Sequence, residues 1–140
     1  MKMNKALKIT DNNEYELSAK DIAAIHYGYC LTYGKVAYTT GIAFDNTKNL
    51  EHILLVVGDE KPVFYWCHVE KFYSYGSGPK GIEKSMDEYS PEIYKEQPNT
   101  TWILFDKMEH LPQDFTDVLY NKPDLLRELI ETPRYNQKEI

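Results

Sequence analysis

Residues 53–75 constrain this chain more than any other stretch. Ile53-Leu54-Leu55-Val56-Val57 is an unbroken apolar run. Gly58-Asp59-Glu60-Lys61-Pro62 interrupts it, and the aromatic-rich run Val63–Tyr75 follows. Two sheet-forming runs around a turn predict a hairpin. A third run, Thr101–Met108, repeats the chemistry, so a compact antiparallel sheet rich in aromatics is expected. The continuous apolar character of Leu50–Val57 predicts burial on both faces. In the next run, Val63, Tyr65, Cys67 and Val69 alternate toward an interior. Phe64, Trp66, His68 and Glu70 form a mixed aromatic and polar face.

The flanking segments follow from local signals. Lys8-Ile9-Thr10 and Tyr15-Glu16-Leu17 around Asp11-Asn12-Asn13 read as a small hairpin or turn. Ser18 stands three residues before Asp21, a helix-start pattern. Ile22, Ile25, His26 and Tyr29 recur at helical spacing, and Gly34 suits the stop. A helix over residues 19–33 is predicted, with Gly28 its weak point. Val36–Thr40 reads as a strand and residues 42–49 as a loop. Gly76–Gly81 is loop punctuation without the setting of a phosphate cradle. Glu83–Glu96, with five acids and two lysines, reads as a solvated excursion with a helical turn. Phe115, Val118 and Leu119 mark one short helix. Leu125, Leu126, Leu129 and Ile130 mark another behind Pro123. Arg134–Gln137 are free to dock on the sheet.

At 140 residues, one domain is expected, with enough chain for a core that needs no disulfide or metal. It divides by texture into an N-terminal hairpin and helix over residues 1–35 and a sheet with C-terminal helices over residues 36–140. Cys30 and Cys67 have neither metal-ligand nor redox-motif spacing and read as buried thiols. No signal-peptide pattern opens the chain, and its longest apolar run is too short to span a bilayer. A cytoplasmic protein without a membrane partner is expected. The net charge is −6, from 16 basic and 22 acidic residues, and only Arg127 and Arg134 are arginines. Broad phosphate contact needs clustered Lys and Arg, which this chain lacks, so non-specific binding of nucleic acid over the whole surface is not expected.

The element order has a counterpart. A strand ending in hydroxyls (Val36–Thr40) precedes His52-Ile-Leu-Leu-Val-Val57. A turn leads to Pro62-Val-Phe-Tyr-Trp-Cys-His-Val-Glu-Lys-Phe72. An insertion then leads to Thr101-Trp-Ile-Leu-Phe-Asp-Lys-Met-Glu-His-Leu-Pro112. Over residues 36–135 this resembles the PUA-like superfamily of small pseudo-barrels, in particular its EVE-type members. The resemblance implies an α+β fold: a small mixed or antiparallel β pseudo-barrel with flanking helices. It also implies recognition rather than chemistry, since such domains commonly bind nucleic acid and some take a modified base into a pocket.

Carried onto this sequence, the resemblance points to Thr39 and Thr40 as strand-end hydroxyls. Trp66 and Trp102 would form an aromatic wall with Tyr38 or Tyr33 nearby, and Asp106 would read an exocyclic amine. Each has a plainer reading: the tryptophans as core, the threonines as ordinary strand residues, Asp106 as a solvent-facing carboxylate. His26, His52, His68 and His110 show no metal-ligand spacing. The serines show no nucleophile-elbow pattern. The expectation is therefore a non-catalytic module without cofactor or metal, binding a nucleotide or modified nucleobase. The alternative is an acidic, tyrosine-rich factor whose segment 83–96 occupies the basic groove of a nucleic-acid-processing protein.

Overall fold

The apolar run that dominates the sequence becomes the third strand of a six-stranded mixed sheet. The computed structural model describes residues 2–11, 15–45, 49–58, 62–112, 114 and 137–139. In chain order the elements are β1 (Lys2–Ile9), α1 (Ala19–Tyr33), β2 (Val36–Thr40), β3 (Asn49–Val57), β4 (Val63–Ser74), α2 (Lys84–Asp87), a 3-10 turn (Glu92–Tyr94), β5 (Thr101–His110) and β6 (Gln137–Glu139). The strand order is β2-β5-β4-β3-β1-β6. β3 pairs antiparallel with β4 and parallel with β1. Ile53 through Val57 are all buried, as a strand covered on both faces requires. The three-residue β6 runs antiparallel along the outer edge of β1. The helices expected over 115–130 lie outside the described residues, as do 134–136 of the segment expected to dock on the sheet.

Two local expectations change. Residues 2–9 are one long strand rather than a short hairpin arm, and residues 12–14, within the expected turn, lie outside the described residues. The chain alternates here: Leu7 and Ile9 enter the core while Lys8 does not. The strand's partner is β3, far along the chain, which no local turn signal reveals. The segment 83–96 carries the expected helical turn and is exposed along much of its length, but it is anchored to the sheet rather than free. α2 presses Met86 against Ala37, Trp102 and Leu104. Ser90 is fully buried, and the Ala37 N–H donates to Tyr89 O at 3.0 Å, which covers part of the outer edge of β2.

α1 forms where its caps specify it. Ser18 Oγ accepts from the Asp21 N–H at 3.1 Å, and Gly34 closes the helix in the left-handed region at φ 84°. The helix buries Ala19, Ile22, Ala23, His26 and Cys30 against the inner face of the sheet. That face gathers Leu7 and Ile9 of β1 with Val36 and Tyr38 of β2 in one cluster. These strands are fifth and first in the sheet order. In a flat sheet, strands four places apart lie roughly 19 Å apart, so the sheet curls around α1. Phe44, just beyond β2, completes the approach: Lys5 Nζ of β1 lies 4.9 Å from its ring centre. The described strands do not close the curl, because β2 and β6 both end the sheet as edges.

Two bulges bend the middle of this sheet. His68 faces Lys107 and Val69 faces Phe105, so Asp106 is an extra residue in β5. Glu70 plays the same part in β4, between Val69 and Lys71. Where β4 ends and β5 begins, a buried polar knot ties the β2–β3 connection down. Thr101 Oγ1 donates to Ile42 O at 2.5 Å and lies 2.8 Å from Ser74 Oγ. Ser74 Oγ accepts from the Phe44 N–H at 3.1 Å. Among the described residues no helix is long and apolar enough to cross a membrane.

Gly28 sits mid-helix, exposed, and a methyl group there would meet no atom within 4 Å. Glycine in a helix interior is worth about 0.5–1 kcal/mol less than alanine. Gly28→Ala is expected to stabilise the protein by that amount in urea unfolding. An unchanged or lowered midpoint would contradict this account of α1.

Candidate ligand cleft

Where the ends of β1 and β2 meet α1, a cleft of about 260 Å³ opens, lined by both strands, the helix, Ile42 and Tyr94. It brings together Tyr38, Thr39 and Thr40, three of the residues singled out in the sequence. It adds His26, noted in the sequence only for its helical spacing, and Tyr94, which no sequence signal marked, together with Lys8 and Asp11. His26 sits at position i+4 from Ile22 on the buried side of α1, so its helical spacing with an apolar neighbour was the available clue. Tyr94 reaches the cleft because the 83–96 segment folds back.

His26 is only 2% exposed. Its Nδ1 lies 2.7 Å from Ile22 O. A carbonyl only accepts, so Nδ1 carries the hydrogen and the ring's lone pair is on Nε2. Burial pulls the imidazole pKa down to about 4, against a smaller upward effect of the Ile22 bond, so the ring is neutral near pH 7. Tyr38 and Tyr94 pack on it with ring centres 5.3 Å and 5.4 Å away. Burial raises the Tyr38 phenol well above its ordinary value, only partly offset by its bond with Thr40. The hydroxyls of the lining are partly committed. Thr39 Oγ1 donates to Thr101 O at 3.0 Å, and Thr40 Oγ1 accepts from the Ile42 N–H at 3.3 Å. Asp11 Oδ1 accepts from the Ala19 N–H at 2.7 Å, which ties the cleft rim to the start of α1.

The other three expected site residues lie elsewhere. Trp102 is fully buried among Ala37, Met86 and Leu104, and its Nε1–H donates to Gly81 O at 2.9 Å. Its ring is occupied by neighbours and is no stacking platform, which corrects the aromatic wall drawn from the sequence. Trp66 is half-buried on the sheet face turned away from α1, stacked on His52. Asp106, on its bulge, accepts from His68 Nδ1–H at 2.6 Å. Tyr33, named beside them, is 65% exposed and packs on Tyr29.

The cleft thus combines aromatic and polar walls with one charge of each sign, Lys8 and Asp11, in its lining. It offers two phenol rings, a neutral imidazole and hydroxyl edges. Cys30 and Cys67 are buried, and burial pushes both thiols up, so neither is an activated nucleophile. Among the described residues no three His, Cys, Asp or Glu side chains come together to hold a metal ion. Comparison with family models, with curated proteins and with solved structures gives no match to this chain.

The buried imidazole sets a pH dependence. Its folded pKa of about 4 lies below its ordinary value of 6.5. Between these values the unfolded chain binds a proton that the folded chain refuses. Stability from this group is therefore full above about pH 6.5 and falls by up to about 3 kcal/mol as the pH drops through 4. Urea unfolding of wild type and His26→Phe at about pH 7 and about pH 4.5 should show the smaller acid loss in the variant. Equal losses would refute the buried neutral state.

Proposed function

We propose that this chain is a recognition module that takes one uncharged, ring-sized guest, a free or modified nucleobase, into the cleft. The fold is then read as an open relative of the PUA-like pseudo-barrels, with α1 seated in the curl. The observation that carries the reading is the meeting of Tyr38, Thr39 and Thr40 with His26 and Tyr94 around one cavity. Its volume falls just below the roughly 300–1,000 Å³ usual for drug-sized ligands, which fits a base better than a whole nucleotide. Flat rings bind such a guest by stacking, and the hydroxyls and the imidazole lone pair read its edge. The buried His26 is neutral, Lys8 is accompanied by Asp11 in the lining, and the chain is acidic overall, so phosphate attraction is not the main force.

Titration with free bases, nucleosides and short single strands carrying modified or unmodified bases tests this. Saturable binding that changes little between low and moderate salt is expected, with stacking worth about 1–3 kcal/mol per base. Tyr94→Leu should weaken it about tenfold or more. Flat titrations for every base, or binding untouched by Tyr94→Leu, would remove the proposal.

A second reading draws on Glu88, Glu92 and Glu96, which stand exposed on the folded-back segment. They would face the basic groove of a nucleic-acid-processing protein. Asp87 serves the fold instead, accepting from the Glu96 N–H at 2.9 Å. Glu88→Lys with Glu92→Lys should slow association with such a partner at low salt, and unchanged rates would count against it.

A further inference from the structure

The antiparallel pairing of β3 with β4 has a register in which His52 and His68 stand directly opposite each other. Their ring centres are 5.2 Å apart, edge to face at 69°. They occupy the sheet face shared by Leu54, Val56 and Phe64, turned away from α1 and from the cleft. Each ring is oriented from behind. His68 Nδ1 donates to Asp106 Oδ1 at 2.6 Å, which leaves the lone pair on Nε2. The bulge in β5 is what carries Asp106 out of the regular ladder at this point. His52 lies flat on Trp66, with ring centres 4.6 Å apart and planes 13° from parallel. Its Nδ1 is buried without a hydrogen-bond partner: Glu51 Oε1, at 3.4 Å, is close but outside bonding geometry. Nε2 is then the nitrogen that His52 has left for a ligand.

From this geometry we propose that His52 and His68 form a two-imidazole site for a first-row divalent cation of the Cu²⁺, Ni²⁺ or Zn²⁺ type. Imidazole nitrogens suit these ions, whereas Mg²⁺ demands oxygen ligands. Asp106 stands behind His68 as the carboxylate that fixes its tautomer and ring orientation. Water fills the other positions, since no third protein ligand joins the pair among the described residues. Of the neighbouring charges, Lys107 opposite His68 opposes a cation, while Glu51 beside His52 and Glu109 opposite Trp66 favour one. Cross-strand histidines on a rigid ladder hold their separation without help from a loop.

The test begins on the unaltered protein. Substoichiometric Cu²⁺ should broaden the His52 and His68 ring signals in NMR before those of His26 and His110. It should also quench the fluorescence of Trp66. Calorimetry with Ni²⁺ should give one site per chain, with Mg²⁺ silent. His52→Gln and His68→Gln should each weaken Ni²⁺ binding about tenfold or more, and Asp106→Asn by about 10–100-fold. Thermal unfolding of each variant without metal checks that it is folded. Absence of Ni²⁺ binding, broadening that starts at His110 or His26, or folded variants that bind like wild type would overturn the site.

Discussion

The burial of β3 on both faces is the constraint from which the architecture follows. An apolar run from Ile53 to Val57 has no side to offer water, so it must lie inside the sheet. Hairpin pairing with β4 fills one flank, and the other flank needs a strand from elsewhere. β1 supplies it in parallel, which forces the chain between them to travel across the sheet. That crossing contains α1 and β2, and β2 goes to the far side, beside β5. The inner face of the resulting curl is covered by α1. The cleft is the gap left where the helix does not fill the space between the ends of β1 and β2.

Polar groups near this apolar frame are placed by the same logic. A buried hydroxyl or amide without a partner is destabilising by about 1–3 kcal/mol. Thr101, Ser74, Ile42 and Phe44 satisfy one another at the strand ends. The indole N–H of Trp102 finds Gly81 O, which holds the 76–82 loop over the ring. A methyl at Gly81 would stand 2.5 Å from the Tyr75 ring, so any larger residue there must push the phenol aside. Tyr75 in turn donates to Glu83 at 2.5 Å, and this bond drives its phenol up to about 12.

Much of this can be read from the residues, because much of it is local. Caps at Ser18 and Gly34, apolar periods in α1, alternation in β4 and the apolar runs of β2 and β5 all act within a few positions. β1 escapes such reading because its lysines resemble a surface segment until β3 is placed beside it. The fold-back of 83–96 escapes for a similar reason: Met86, Tyr89 and Tyr94 are scattered among charges that dominate the composition. Tyr38, Thr39 and Thr40 are legible as the end of a strand, but the partners that make them a cleft come from α1 and the fold-back. Trp102 misleads because an aromatic on a strand carries no mark of which face is covered. The facing of His52 and His68 depends on the register of β3 against β4, and a slip of one residue would send one ring to the other side.

The knot at the strand ends also bears on how the cleft behaves in time. Ile42 forms part of its wall, and both its N–H and its carbonyl are engaged, to Thr40 and Thr101. Swinging that wall outward means breaking buried bonds to Thr101 together with those of its neighbour Ser74. Such a wall does not breathe freely. If the cleft takes the proposed guest, a wall held in this way would select by excluding the wrong outline rather than by moulding itself around each visitor.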